Sequence, residues 1–199
     1  MQDPALIDRL LDTVEFEIAP MTATGVTRGN KLFGAAILRK SDWSTVIAET
    51  NNETENPLWH GEMHALKRFY ELPRDARPKP ADCIFLATHE PCSLCLSAIT
   101  WGGYDNFWYL FSHEDSRDSF NIPHDLRILK EVFGLEPGGY AAENRYWKSH
   151  DIVKEIGALD EPDRTRLRTR VEKLSEIYAS LSQIYQGNKH LAGGDIPLD

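Results

Sequence analysis

The stretch Cys83-Ile84-Phe85-Leu86-Ala87-Thr88-His89-Glu90-Pro91-Cys92-Ser93-Leu94-Cys95-Leu96 joins an unbroken apolar run to a pair of cysteines behind a proline. The run over 83–88 predicts a central strand, because a strand covered on both faces loses its polar alternation. Pro91 suits a helix start, so residues 92–100 read as a short helix. Cys92 and Cys95, three apart, fall on one face of that helix. In its first turn, unpaired backbone N–H groups and the positive end of the dipole favour thiolate over thiol.

The second half of the pattern lies upstream, in His60-Gly61-Glu62. One imidazole and two thiolates make three ligands of the kind zinc takes. Four protein ligands close a structural site, whereas three leave a corner for water and mark a catalytic one. Glu62, two residues past the histidine, is free to move protons and is the candidate catalytic residue. His60 is expected to open its own helix, so two helix N-termini converge on one ion. Gly61 removes a side chain beside the ligand and permits close approach.

Three other readings compete. A structural zinc site would draw a fourth ligand from His64, His89 or Cys83, but it leaves Glu62 without a purpose. A zinc-protease helix needs the glutamate one residue after the histidine, not two. A thioredoxin-like Cys-x-x-Cys leaves His60 and Glu62 unexplained. His64 reads as packed or supporting, and Cys83 as a small buried strand residue.

Around this centre the chain alternates helix and strand. Asp3-Pro4 caps an amphipathic helix over 4–18, with residues 22–30 as loop. Strands follow at 33–38 and 45–48 as a hairpin, then a polar loop over 51–57 and a helix over 59–70. Three prolines make 72–80 a loop. A strand at 107–111 and a helix at 123–133 complete the pattern. Such alternation predicts an α/β sandwich with helices on both faces of one sheet. Residues 1–158 form the expected main domain and 159–199 a helical extension. In the extension Leu167, Val171, Leu174, Tyr178, Leu181 and Tyr185 are spaced 4-3-4-3-4. That seam is too short for an independent coiled coil, so the helix is expected to pack on its own body. Arg164, Arg166, Arg168 and Arg170 are expected on a solvated face, and residues 187–199 loosely attached.

Bulk properties narrow the classes. The 199 residues are 41% hydrophobic and 10% aromatic, as in an ordinary globular chain, and the net charge is −9. That charge argues against a nucleic-acid partner. No apolar run is long enough to cross a bilayer, and the acidic, amphipathic start is not a signal peptide. Three cysteines, two of them paired in the motif, fit a cytoplasmic protein with metal-held thiols better than a disulfide framework.

A histidine, a glutamate two residues on and a later Pro-Cys-x-x-Cys together form the zinc deaminase signature. The chain resembles the cytidine deaminase-like superfamily, in particular its nucleobase branch of guanine and cytosine deaminases, from about Phe33 to Phe120. Phe33-Gly34-Ala35-Ala36-Ile37 is similar to that branch's first strand. Asn51-Asn52 with Asn56-Pro57 resembles the asparagine loop of guanine deaminases, although its distance to His60 is shorter here. His60-Gly61-Glu62 has the cytosine deaminase form, since most relatives carry alanine in the middle. Glu90 to Leu96, Ala98-Ile99-Thr100-Trp101 and Asp118-Ser119-Phe120 look guanine deaminase-like.

The resemblance implies a three-layer α/β/α sandwich with a five-stranded mixed sheet, and parallel strands after residue 107. It implies Zn2+ held by His60, Cys92 and Cys95, Glu62 as proton shuttle, and a base-binding asparagine at Asn51 or Asn52. Phe33 and Trp101 are candidate stacking residues, Glu90 and Asp118 further substrate contacts, and Tyr146-Trp147 a candidate closure of the site. A homodimer is implied as well. The function that follows is hydrolytic deamination of an aminated heterocycle with water, guanine first and cytosine second. A tRNA-adenosine editing deaminase and a non-catalytic zinc-stabilised module are the alternatives. The editing enzyme should carry basic surface that a charge of −9 does not suggest.

Overall fold

The computed structural model describes residues 3–136, 139–192 and 196–198. It begins with α1 (Pro4–Asp12), capped by the Asp3 carboxylate, which accepts from the Ala5 N–H. A wide π-turn (Thr13–Ile18) then leads directly into α2 (Ala19–Val26). The helical run therefore extends to Val26, well past residue 18, and most of the expected loop at 22–30 is helix. Pro20, without a backbone N–H to donate, sits just past the wide turn, where the hydrogen-bond ladder changes register.

The sheet holds β1 (Gly34–Arg39), β2 (Thr45–Thr50), β3 (Cys83–His89), β4 (Asn106–Phe111) and β5 (Lys148–Asp151). Its order is β2-β1-β3-β4-β5. β1 runs antiparallel to β2 and β3, while β3, β4 and β5 are mutually parallel. This is the five-stranded mixed sheet the resemblance implied. Parallel neighbours need a covering connection. α4 (Ser93–Gly102) supplies it between β3 and β4, with α5 (His113–Asp118) and α6 (His124–Phe133) after β4.

Strand alternation divides the core into two layers. Ala36, Leu38, Ile84, Leu86, Trp108 and Leu110 face one side, against Ile7, Leu10, Leu11 and Ile18 of the N-terminal helices. Ala35, Ile37, Phe85, Ala87, Phe107 and Tyr109 face the other, against α4 and α3 (Gly61–Glu71) through Leu96, Ile99, Ala65, Leu66 and Phe69. The architecture is the three-layer α/β/α sandwich.

A short α7 (Ile152–Gly157) precedes the long α8 (Asp163–Asn188). α8 buries Leu167, Leu174, Tyr178, Leu181 and Tyr185 in the first layer, so the seam packs on its own body. Not all the arginines of α8 lie on a solvated face. Arg170 reaches Asp8 at 2.6 Å and Asp12 at 2.7 Å, and Arg166 also pairs with Asp8. These pairs pin α8 to α1. Burial opposes the charge on Asp8, but hydrogen bonds from Arg170 and Arg166 hold its carboxyl below the usual range.

His89 lies at the end of β3, wrapped by the rings of Phe33, Phe111, Phe120 and Tyr178 at 4.6–5.5 Å. Its Nδ1 meets the Thr88 hydroxyl at 2.9 Å, and its Nε2 has no partner among the described residues. Burial, with His113 adding like-charge repulsion, holds its pKa well below 6.5. The folded protein therefore keeps the ring neutral, while the unfolded chain binds a proton below about pH 6.5. Stability is then complete above that pH and falls as pH drops below it. Denaturant melts between pH 8 and pH 5 should show this loss, at up to about 1.4 kcal/mol per pH unit. His89→Phe should flatten the slope, and an unchanged slope in that variant would assign it to other groups.

Candidate active site

Both helices that carry the motif begin at the same end of the sheet. His60 is the N-cap residue of α3 and Cys92 that of α4, with Cys95 in the first turn of α4. Neither N-cap makes a side-chain capping bond, so both side chains are free to face each other. His60 Nδ1 lies 3.6 Å from Cys92 Sγ and 3.8 Å from Cys95 Sγ, and the two sulfurs are 3.6 Å apart. Tetrahedral zinc, with bonds of about 2.3 Å to sulfur and about 2.0 Å to nitrogen, places such atoms about 3.5–3.8 Å apart. The donor set fits the ion in both chemistry and spacing. Among the described residues, the ligand group contains these three side chains and no fourth.

The proposed fourth ligands of a closed site lie elsewhere. His89 sits in its aromatic cage, His64 Nδ1 is 3.0 Å from the Thr50 carbonyl, and buried Cys83 points its thiol at the Lys79 carbonyl. Cys92 is held toward thiolate by the Cys95 thiol and, against its burial, by His60. Cys95 is pushed the other way, first by burial and then by Cys92. Two sulfurs sharing one proton are what a bound dication would resolve. Glu62 is buried beside Cys95 and outside the ligand set. Its burial, and next the Cys92 thiolate, raise its pKa to about 7 before any cation balances the sulfurs.

The His60 loop is fastened from behind. The Gly61 N–H donates to Asn51 Oδ1 at 2.6 Å, and Asn51 Nδ2 donates to Glu53 Oε2 at 3.0 Å. Glu53 Oε1 lies 4.0 Å from His60 Nε2, on the side of the ring away from the sulfurs. A carboxylate behind a ligating histidine steadies the ring and its tautomer.

A pocket of about 270 Å3 opens at His60 and Cys92. Lys31, Glu53, Ser93 and Asp125 line its polar side. Leu58, Leu94 and Ile128 form its apolar wall, together with Ile196, Pro197 and Leu198 from the end of the chain. The expected closing pair is not there. Trp147 is buried against Phe107 and donates to Thr100, while Tyr146 is exposed. Nor are the last residues all loosely attached, since Ile196 is buried. Residues 193–195 and 199 of that expectation lie outside the described residues.

None of the six residues expected to bind substrate lines this pocket. Asn51 is spent on the loop, and Asn52 closes its own turn by donating to Glu55. Phe33 is buried against His89, and Trp101 is 91% exposed on the outer face of α4. Glu90 accepts from the His113 N–H and the Tyr140 hydroxyl, tying down the segment after β4. Asp118 is exposed beside Arg117. Apart from His60 and Cys92, the residues that do line it gave little local signal. Asp125 looks like an ordinary acidic first-turn residue of α6. The partner of Lys31, Glu53, is 22 residues away.

His60, Cys92 and Cys95 thus form a group that could hold a metal ion. Residues 15–111 match the family model described as the cytidine and deoxycytidylate deaminase zinc-binding region. That segment of the chain is similar to the zinc-binding region of these deaminases. The guanine deaminase of Bacillus subtilis (strain 168) is 30% identical over 110 residues, which are 50% of this chain and 62% of that protein. The chain thus matches less than two thirds of that relative's length. Among solved structures, a guanine deaminase from Nitrosomonas europaea is 18% identical with a TM-score of 0.47, covering 78% of this chain and 81% of that one. The guanine deaminase structure from Bacillus subtilis is 21% identical with a TM-score of 0.45, covering 73% and 99%.

The structure supplies a reason for glycine at position 61. A Cβ at Gly61 would lie 2.5 Å from the Cα of Gly34. A Cβ at Gly34 would in turn lie 2.3 Å from the Cγ2 of Ile18, at the end of the π-turn. Gly61→Ala should therefore displace the start of α3 and cost about 1–3 kcal/mol of stability, as overpacking does. Zinc retention after dialysis should fall with it. Wild-type melting and zinc content in Gly61→Ala would refute the contact.

Proposed function

We propose that the protein is a zinc-dependent hydrolase that deaminates an aminated nucleobase or related heterocycle, with guanine the first candidate and cytosine the second. The observation that carries this reading is a three-ligand centre with a buried, non-ligating carboxylate beside it, opening into a walled pocket. The guanine preference is supported by the 30% identity over 110 residues to a guanine deaminase. An editing deaminase acting on tRNA adenosine is less supported, given the net charge of −9 and a pocket wall formed in part by the chain's own end.

Zinc bound there would act as a Lewis acid and bring the pKa of water in the open corner to about 7. His60, Cys92 and Cys95 would hold the ion, with Glu53 behind the histidine. Glu62 would accept the proton of the attacking water and pass it to the ring nitrogen next to the amine-bearing carbon. It would then help the amine leave as ammonia. Water adds, the C–N bond breaks and a carbonyl remains, so one carboxylate both takes and gives the proton. Asp125, across the pocket, would accept an N–H of the ring.

The test is ammonia release by the zinc-loaded protein over guanine, cytosine, adenine, their nucleosides, pterins, aminotriazines and a tRNA anticodon stem. Turnover of a free base is expected, with kcat lower by about 10²–10⁴ in Glu62→Ala while zinc stays bound. Turnover of the RNA alone would move the protein to the editing branch. An active Glu62→Ala would remove the glutamate from the mechanism.

The same reading makes the protein a cytoplasmic homodimer. Its three cysteines are free thiols. No helix among the described residues is long and apolar enough to cross a membrane. The outer face of α4 leaves Trp101 uncovered. Sedimentation should give a dimer that Trp101→Gln weakens, and a monomeric wild type would refute it.

A further inference from the structure

Lys31 stands out among the groups around the pocket, because a lysine is almost never buried without a task. Its side chain is 7% exposed, and that of its partner Glu53 is 1% exposed. The Lys31 Nζ donates to Glu53 Oε1 at 2.9 Å, and the Lys31 N–H donates to Glu53 Oε2 at 3.0 Å. With the Asn51 amide, the Glu53 carboxylate is fully engaged. The ammonium is not. It carries three donors, and among the described residues Glu53 is its one hydrogen-bond partner. Both residues line the pocket beside His60.

A buried ion pair of this kind is weak evidence for stability, since desolvation offsets much of the attraction. What it does well is hold a cation at a fixed place in a water-poor cavity. We propose that Lys31 is a specificity-determining residue, whose ammonium donates to an oxo group on the heterocycle bound between the zinc site and Asp125. The inference rests on the deaminase reading above and refines its substrate class. The favoured substrate carries an exocyclic amine at the reacting carbon and a carbonyl oxygen elsewhere on the ring, as guanine and cytosine do and adenine does not. The two sides of the pocket are complementary in this respect. Lys31 offers donors to the carbonyl, and Asp125 offers an acceptor to a ring N–H. The pocket volume of about 270 Å3 lies at the low end for ligand sites, which suits one or two fused rings.

The experiment compares substrates with and without the oxo group, guanine against 2-aminopurine and cytosine against 4-aminopyrimidine, which lose the neighbouring ring N–H along with the oxygen. Steady-state kcat/KM is measured for the zinc-loaded wild type and for Lys31→Met/Glu53→Gln, which avoids stranding the carboxylate. A site built to hydrogen-bond an oxygen should discriminate strongly, so the wild type should favour the oxo member by about 10² or more. In the double variant that ratio should fall by about tenfold or more, leaving only the share that Asp125 supplies through the ring N–H. A purely structural role for the pair would lower both members equally and leave the ratio intact. That outcome overturns the proposal. So does a wild type that turns over both members of each pair alike, which needs no variant to fold. Absence of turnover on every heterocycle would overturn the deaminase reading and this inference together. Turnover with a Lys31-independent ratio overturns the inference alone.

Discussion

Everything at the proposed reaction centre depends on two helices beginning at one end of one sheet. α3 starts at His60 and α4 at Cys92, and their first turns bring one nitrogen and two sulfurs within 3.6–3.8 Å of one another. The N-terminal dipoles favour negative charge there, so the same geometry that gathers the ligands also favours their ionised form. The sheet fixes the separation. β3 runs straight into α4, and β1, its antiparallel neighbour, presents Gly34 to the start of α3.

That last contact links the N-terminal helices to the candidate metal site. Ile18 at the end of the π-turn leaves no room for a side chain at Gly34, and Gly34 leaves none at Gly61. Three residues far apart in sequence thus form one stack ending beside His60 and Glu62. The loop behind His60 adds a second constraint through Asn51 and Glu53. Glu53 joins that support to the pocket, because its other partner is Lys31.

The candidate ligands stood out in the sequence because their spacing is local and their chemistry exclusive. His60, Glu62, Cys92 and Cys95 sit in two short segments, and few other uses fit all four. The first four strands were equally plain, since Phe85/Ala87 and Ile84/Leu86 fill opposite layers, whereas the polar β5, Lys148–Asp151, gave no such run and was not located. The π-turn was not legible, because Leu10, Leu11, Val14 and Ile18 satisfy an ordinary helical spacing. Its consequence, a helix running to Val26, was therefore missed among threonines and a glycine. The pocket was the least legible part. Asn51 was read as a candidate base-binding residue, whereas its hydrogen bonds go to Gly61 and Glu53. Asp125, Lys31 and Ile196 reach the pocket from three distant segments, a juxtaposition that only tertiary packing creates.

The account stands on an open zinc corner, with three protein ligands and Glu62 held apart from the ion. X-ray absorption at the zinc edge of the purified protein tests this most directly. It should show two sulfurs at about 2.3 Å, one nitrogen at about 2.0 Å and one oxygen from water. Four protein ligands, with a third sulfur or a second histidine, would make the site structural and contradict the account.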